Sequence, residues 1–150
     1  MNADALDRRI LGLLNRDGRA SNKEIAAALN VSEGTVRNRI RKLSEAGALR
    51  VAGLIDPDIS SDKQLLLLGV NIACSRELTK KAAEIAKLEH VQSAYITAGR
   101  YDIMVEVWVD AKGGLINFLS KTLAGVTGIT STESFLIMKS FNKWIPRADL

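Results

Sequence analysis

The chain is poor in the residues that build covalent or metal scaffolds. Its 150 residues hold one cysteine, Cys74, and one histidine, His90, so no intramolecular disulfide can form and a structural zinc site would lack ligands. Such thiol usage fits a reducing compartment, and the cytosol is the expected location. Proline occurs only 2 times and glycine 11 times, so no long stretch is compositionally disordered or fibrous. The longest apolar run, Leu65 to Val70, falls far short of the roughly 18 residues that a bilayer-spanning helix needs. The N-terminus opens on Asp4 and Asp7 rather than on a basic segment and an apolar core, so neither export nor a membrane span is expected. A length of 150 residues also disfavours large catalytic folds and suits one domain or two very small ones.

What is present is unevenly placed. Residues 1–56 carry ten Lys/Arg against seven Asp/Glu, whereas residues 57–150 carry eleven against ten. Within the front part Arg37, Arg39, Arg41 and Lys42 fall in six consecutive positions, a density that suits a polyanion or else marks a solvated helix face.

Helical punctuation divides the first fifty residues into three segments. The first runs from about Asp4 to Asp17, with Leu6, Ile10, Leu13 and Leu14 at helical spacing and Gly18 available for a left-handed cap. Ser21-Asn22-Lys23-Glu24 is a capping box that starts a second helix, which Asn30 ends at Leu29. Ser32 caps a third helix that runs to Ala46, with Gly47 beyond it. Two short helices meeting at a tight turn resemble a helix-turn-helix, with Ala26 small at the crossing and Ile25, Leu29, Val31, Val36 and Ile40 as core. On a 100° wheel Val36, Ile40 and Leu43 share one face of the third helix. That placement turns Gly34, Asn38, Arg41 and Glu45 outward, sets Thr35 and Lys42 beside them, and leaves Arg37 and Arg39 on the flanks. A helix inserted in a groove needs short residues where its N-terminus nears base edges and long cations where its sides pass phosphates. Ser32, Gly34, Thr35, Arg37, Asn38, Arg39, Arg41 and Lys42 are therefore the candidate DNA contacts, and residues 1–50 the DNA-binding domain.

Leu49 to Ile55 then has strand character and stops at Asp56-Pro57, and the polar Asp58 to Gln64 stretch reads as a linker, so that residues 51–64 connect the two halves. From Leu65 the period changes. Strands are expected over Leu65–Cys74, Val91–Ala98, Tyr101–Val109 and Ile129–Phe141, and helices over Glu77–Leu88 and Gly114–Leu123. The order β-α-β-β-α-β is the ferredoxin-like plan, a four-stranded antiparallel sheet with both helices on one face, over residues 65–143 with a tail at 144–150. Ile103, Val105, Val107 and Val109 form one apolar row, and Met104 and Trp108 lie opposite. Both faces being apolar, the second needs a cover: a second copy about a twofold axis, or else the head or first strand of the same chain.

Over essentially its full length the chain resembles the Lrp/AsnC, or feast/famine, family of transcription regulators. The residues that carry the likeness are Leu6-Asp7-Arg8-Arg9-Ile10-Leu11, Asp17-Gly18-Arg19-Ala20, Ile25-Ala26, Val31-Ser32 and Val36 through Leu43, in that order. In the second half Gly99-Arg100-Tyr101-Asp102 is similar to a G-x-Y/F-D turn, and Gly128-Ile129 with Thr132-Glu133-Ser134 to a G-V…T-x-T segment. The resemblance implies an α+β protein with a winged helix-turn-helix head and a ferredoxin-like domain of the RAM or ACT kind. It also implies homodimers and higher assemblies such as octamers. It places an amino-acid effector between dimers, near Gly99, Arg100, Tyr101, Asp102, Thr132 and Ser134, and implies no other cofactor. Physically, Asp102 is an acceptor for an ammonium, and a glycine turn with Thr132 and Ser134 offers donors to a carboxylate; the alternative is a hairpin whose Asp caps its own turn. Arg100 either meets an acidic ligand side chain or is an exposed turn residue. Asn30 stands at a usual turn glycine, Glu133 where some members carry a basic residue, and Ser134 at the second Thr.

Two rival readings remain. The resemblance extends to sirohaem decarboxylases, which lean on histidines where this chain has only His90. No Cys-His, Ser-His-Asp or paired-carboxylate set is recoverable, and an enzyme is not expected. The other rival is a sensing or assembly module that does not bind DNA; steep salt dependence of duplex affinity separates it from a DNA reader.

Overall fold

A computed structural model describes residues 3–146. The chain divides into two compact units, Met1–Gly53 and Leu54–Leu150.

The first unit is a three-helix head. Helices α1 (Ala5–Arg16), α2 (Asn22–Leu29) and α3 (Glu33–Glu45) start at Asp4, Ser21 and Ser32, each side chain accepting from a backbone amide of the first turn. Ile10, Ile25, Ala26, Leu29 and Val36 form the core, with Leu6, Leu13, Leu14, Ala20, Val31 and Ile40 packed around it. Asn30 adopts the left-handed conformation, φ 55° and ψ 50°, and Gly47 caps the end of the unit's last helix at φ 67°. Gly18 does not take the left-handed role expected of it. The chain leaves α1 through an extended Asp17, whose carboxylate accepts from the Arg19 amide at 2.9 Å, so a side-chain turn replaces the glycine cap.

The expected strand over Leu49–Ile55 shrinks to β1 (Leu54–Ile55), which pairs with β6 (Ile145–Pro146). No hairpin wing follows α3 among the described residues. The expected linker is also shorter and more ordered than its composition suggests. Asp56 caps a 3-10 turn, Pro57–Ile59, and β2 already begins at Lys63 and runs to Ile72.

The second unit is the antiparallel ferredoxin-like sheet. Strands β2, β3 (Val91–Ile96), β4 (Ile103–Asp110) and β5 (Ile129–Leu136) stand in the order β3-β4-β2-β5, so the first and third strands of the repeat are central. One face buries Leu66, Leu68, Val70, Ile103, Val105, Val107 and Val109 against Ala82, Ile85, Phe118 and Leu123. Helix α4 is Leu78–Ile85, entered through a 3-10 turn at Ser75–Glu77. The helix expected over Gly114–Leu123 is regular only through α5 (Gly114–Asn117), then widens to a π turn, Phe118–Thr122; there Ser120 Oγ donates back to the Ile116 carbonyl at 2.7 Å, a bond that competes with the ladder.

Strand β5 ends at Leu136, not at Phe141. Beyond it Lys139 pairs with Asp58 at 2.6 Å and Lys143 Nζ reaches both Glu106 carboxylate oxygens at 2.7 and 2.8 Å. The chain is thus drawn across the second face of the sheet. The segment read as a tail at 144–150 contains β6, whose Ile145 is buried with Leu65 and Trp108 beside Ile55 and Ile137; residues 147–150 lie outside the described residues. One end of the second face is therefore covered by the chain's own first and last strands. Tyr95 and Phe135 stay exposed toward the other end.

Candidate nucleic-acid interface and ligand turn

The turn between α2 and α3 is built from local bonds. Ser21 Oγ accepts from the Glu24 amide at 3.2 Å while Glu24 Oε2 accepts from the Ser21 amide at 2.8 Å. That backbone bond, with the Ser21 hydroxyl, holds the Glu24 carboxyl below its ordinary range. Left-handed Asn30 lets the Val31 amide reach the Ala26 carbonyl at 3.1 Å, which turns the chain straight into the Ser32 cap. Ser32 Oγ accepts from the Thr35 amide at 3.1 Å and shares a hydrogen bond with Thr35 Oγ1 at 2.8 Å. These two hydroxyls thus brace the start of α3, while Gly34 beside them is exposed, and a Cβ there would lie 3.9 Å from Ser32 Oγ.

Along α3, Val36 and Leu43 are fully buried, and Arg37, Asn38, Arg41 and Lys42 are exposed. Arg37 pairs with Glu33 within the helix, the two side chains 65% and 46% exposed. Arg41 lies 3.4 Å from Asn38 Oδ1 and 4.0 Å from Glu45. Exposed pairs of this kind contribute little, so both guanidinium groups are free to turn to a stronger anion. Arg39 is placed differently. Its guanidinium points to the start of α1, where it pairs with Asp4 and lies 3.3 Å from Asp7 Oδ1.

In the second unit, Gly99-Arg100-Tyr101-Asp102 closes the β3–β4 hairpin. Asp102 is committed to the scaffold: its Oδ2 accepts from the Ile72 amide at 2.9 Å, where β2 bulges against β5, and its amide donates to the Val70 carbonyl and to Asn71 Oδ1. The Tyr101 ring lies over Gly69, edge-on to Phe135 at 6.2 Å between centroids. Its hydroxyl is buried without a hydrogen-bond partner among the described residues. Arg100 stacks over that ring at 5.4 Å and pairs with Glu133 at 3.3 Å.

Thr132 and Ser134 do not join this group within one chain. They stand opposite Val70 and Leu68 in the β2–β5 register, and cross-strand partners share a face. Their exposed hydroxyls therefore lie on the helix-covered side, and Tyr101 on the other. Three participants escaped the sequence reading: Asn71, Ser131, which accepts from Asn71 Nδ2 at 3.0 Å, and Glu133 as the partner of Arg100. The signal for Asn71 was present, as a lone amide at the end of an apolar strand. His90 is half-buried, with a left-handed backbone, φ 70°, and its carbonyl accepts from the Trp108 amide at 2.8 Å. It belongs to no cluster of metal-ligating residues among the described residues. No helix of the described chain is long and apolar enough to cross a membrane.

Two family models match the chain: the AsnC-type helix-turn-helix domain over residues 4–44 and the Lrp/AsnC ligand binding domain over residues 67–143. An uncharacterized HTH-type transcriptional regulator of Pyrococcus furiosus is 37% identical over 142 residues, covering 94% of this chain and 95% of its own length. Escherichia coli AsnC superposes with a TM-score of 0.66 at 26% identity, over 93% of this chain and 95% of that one. A regulator of Neisseria meningitidis solved as a complex with L-Met has the same fold, with a TM-score of 0.70 at 22% identity, over 95% and 94% of the two chains.

Proposed function

The chain belongs to the Lrp/AsnC family of DNA-binding transcriptional regulators, and from that premise we propose that it reads duplex DNA as a homodimer or higher assembly whose grip is tuned by an amino acid. The observation that carries the reading is the outer surface of α3, where Arg37, Asn38, Arg41 and Lys42 stand exposed over a buried Val36 and Leu43. Ser32, Gly34 and Thr35 bring a slim helix start toward base edges, Asn38 follows with an amide suited to adenine, and Arg37, Arg41 and Lys42 meet phosphates. One such helix reads only a half-site, so two heads on a shared frame supply specificity.

The effector reading rests on chemistry and on likeness. A related fold is occupied by L-Met in the meningococcal regulator. In this chain Gly99, Arg100, Tyr101 and Asp102 form one polar group, while Thr132 and Ser134 face the other side of the sheet. A single small zwitterion touching both sets needs a second copy to bring the missing half. That requirement couples ligand binding to assembly, and assembly to the spacing of the heads.

The test is a salt titration of duplex binding by the full chain, combined with a thermal-shift screen of the twenty amino acids. Arg41→Ala and Lys42→Ala are expected to weaken all duplexes alike and to flatten the salt dependence, and Asn38→Ala to change sequence preference. Salt-insensitive or absent duplex binding refutes the DNA reading, and equal effects from both kinds of variant refute the division of roles. A flat amino-acid screen refutes the effector.

A further inference from the structure

Among the cations of α3, Arg39 alone leaves the outer surface for another helix. Asp4 and Asp7 form the capping box of α1: Asp4 Oδ1 accepts from the Asp7 amide at 2.9 Å, and Asp7 Oδ2 accepts from the Asp4 amide at 3.1 Å. The remaining oxygen of each carboxylate, Asp4 Oδ2 and Asp7 Oδ1, faces the Arg39 guanidinium. Every carboxylate oxygen of the box is thus used, half on the backbone of α1 and half on a side chain 32 and 35 residues along the chain. Asp7 is buried, its side chain 3% exposed, whereas that of Arg39 is 36% exposed. A carboxylate so enclosed needs a cation beside it, and the Arg39 guanidinium supplies it, a single nitrogen, Nη1, donating to one oxygen of each acid.

We infer that Arg39 is a positioning residue of the DNA interface rather than a phosphate contact: it pins α3 to the capping box of α1 and so sets the angle at which Arg37, Asn38 and Arg41 are presented. The inference rests on the DNA-reading function proposed above. Two features support it. To meet a phosphate, Arg39 would have to leave two carboxylates that themselves repel phosphate. The bonds it makes also link the first turn of α1 to the middle of α3, the two helices that do not adjoin in sequence.

Phosphate contact and positioning differ in sign when the acids are removed. If Arg39 touched phosphate, neutralising Asp4 or Asp7 would free the cation and tighten binding. If Arg39 positions α3, the same changes loosen the helix and weaken binding. The experiment uses the full chain and a duplex that the parent protein recovers from a random-sequence pool, at a temperature where each variant is shown by circular dichroism to be folded. Arg37→Ala should lower the slope of log affinity against log salt by about 0.9 for each phosphate given up. Arg39→Ala should reduce affinity about tenfold with the slope unchanged, and Asp7→Asn and the milder, exposed Asp4→Asn should weaken binding in the same direction. A slope lost with Arg39→Ala, tighter binding with either Asn variant, or unchanged affinity of folded Arg39→Ala overturns the assignment and leaves the regulator reading intact. Should the parent recover no duplex, the regulator reading fails by itself. The pin is then judged by melting temperatures, where additive losses for Arg39→Ala and Asp7→Asn overturn it and a smaller combined loss supports it.

Discussion

The two polar sites of this molecule differ in what their side chains are already doing. On the outer face of α3 the charged groups are spare: among the described residues Arg37 and Arg41 pair with exposed groups of their own helix, and Asn38 carries one long contact with Arg41. At the β3–β4 turn the groups are engaged. Asp102 holds the Ile72 amide, Asn71 holds Asp102 and Ser131, and Arg100 holds Glu133. A surface meant for a polyanion needs loosely held charge that a ligand can redirect at small cost. A pocket for one small molecule needs fixed groups, and fixing them consumes hydrogen-bonding capacity that the ligand would otherwise meet. The contrast means that a substitution at the turn damages the fold before it reports on a ligand, while one on α3 reports on DNA directly.

The sharpest way to break this contrast lies under the turn. A Cβ on Gly69 would sit 2.5 Å from the Tyr101 ring, which Gly69 and Phe135 confine. Gly69→Ala is expected to destabilise the second unit by about 2–3 kcal/mol, read by urea denaturation. Combining it with Tyr101→Ala should cost less than the two losses added together. A neutral Gly69→Ala would show that the ring is not held and that the turn is as loose as α3.

Next in size is Asp102. Asp102→Ala leaves the Ile72 amide without its acceptor and should cost about 1–2 kcal/mol in stability, whereas Asp102→Asn keeps an oxygen there and most of the stability. The pair also separates scaffold from ligand contact. An amino-acid thermal shift lost with Ala but kept with Asn assigns Asp102 to the scaffold. A shift lost with both assigns its charge to the ligand.

The same contrast explains how much could be read in advance. The head is local: capping residues at Ser21 and Ser32, a left-handed Asn30 and the Val36, Ile40 and Leu43 stripe lie within a few residues of the structure they dictate. Helix positions and outward residues therefore followed from spacing alone. Arg39 did not, because the wheel places it on a flank and cannot see two acids more than thirty residues away. The box itself was visible as Asp4 and Asp7, three apart, before an apolar helix. In the sheet unit the succession of strands and helices along the chain followed from periodicity, but the strand ends did not. β5 stops and β6 forms through Lys139–Asp58, Lys143–Glu106 and the burial of Ile145, all pairings between distant segments. The placement of Thr132 and Ser134 across the sheet from Tyr101 depends on the register of β2 with β5, and a slip of one residue would reverse it.

The smallest effect sharpens the contrast between spare and engaged charge by titration. Burial acts to raise the Glu106 pKa, but hydrogen bonds from Lys143 and Ser93 outweigh it and hold the carboxyl below its ordinary 4.5. A carboxylate depressed in the folded state stabilises the fold above its unfolded pKa, and that contribution is lost as pH falls through the folded value. The link between Lys143 and Glu106 is therefore fully present at neutral pH and fades below the ordinary carboxylate range. Glu106→Gln should accordingly lower stability at neutral pH by about 1 kcal/mol and by much less at about pH 3. Other depressed carboxyls, Asp4, Glu24, Asp58 and Asp110, weaken parent and variant alike, so the difference between the two melting curves isolates Glu106. A difference that persists unchanged in acid would mean that packing, not the ion pair, holds residues 137–146 across the sheet. On α3 the corresponding Glu33→Gln should change stability at neutral pH by less than about 0.5 kcal/mol, because the side chains of Arg37 and Glu33 are 65% and 46% exposed.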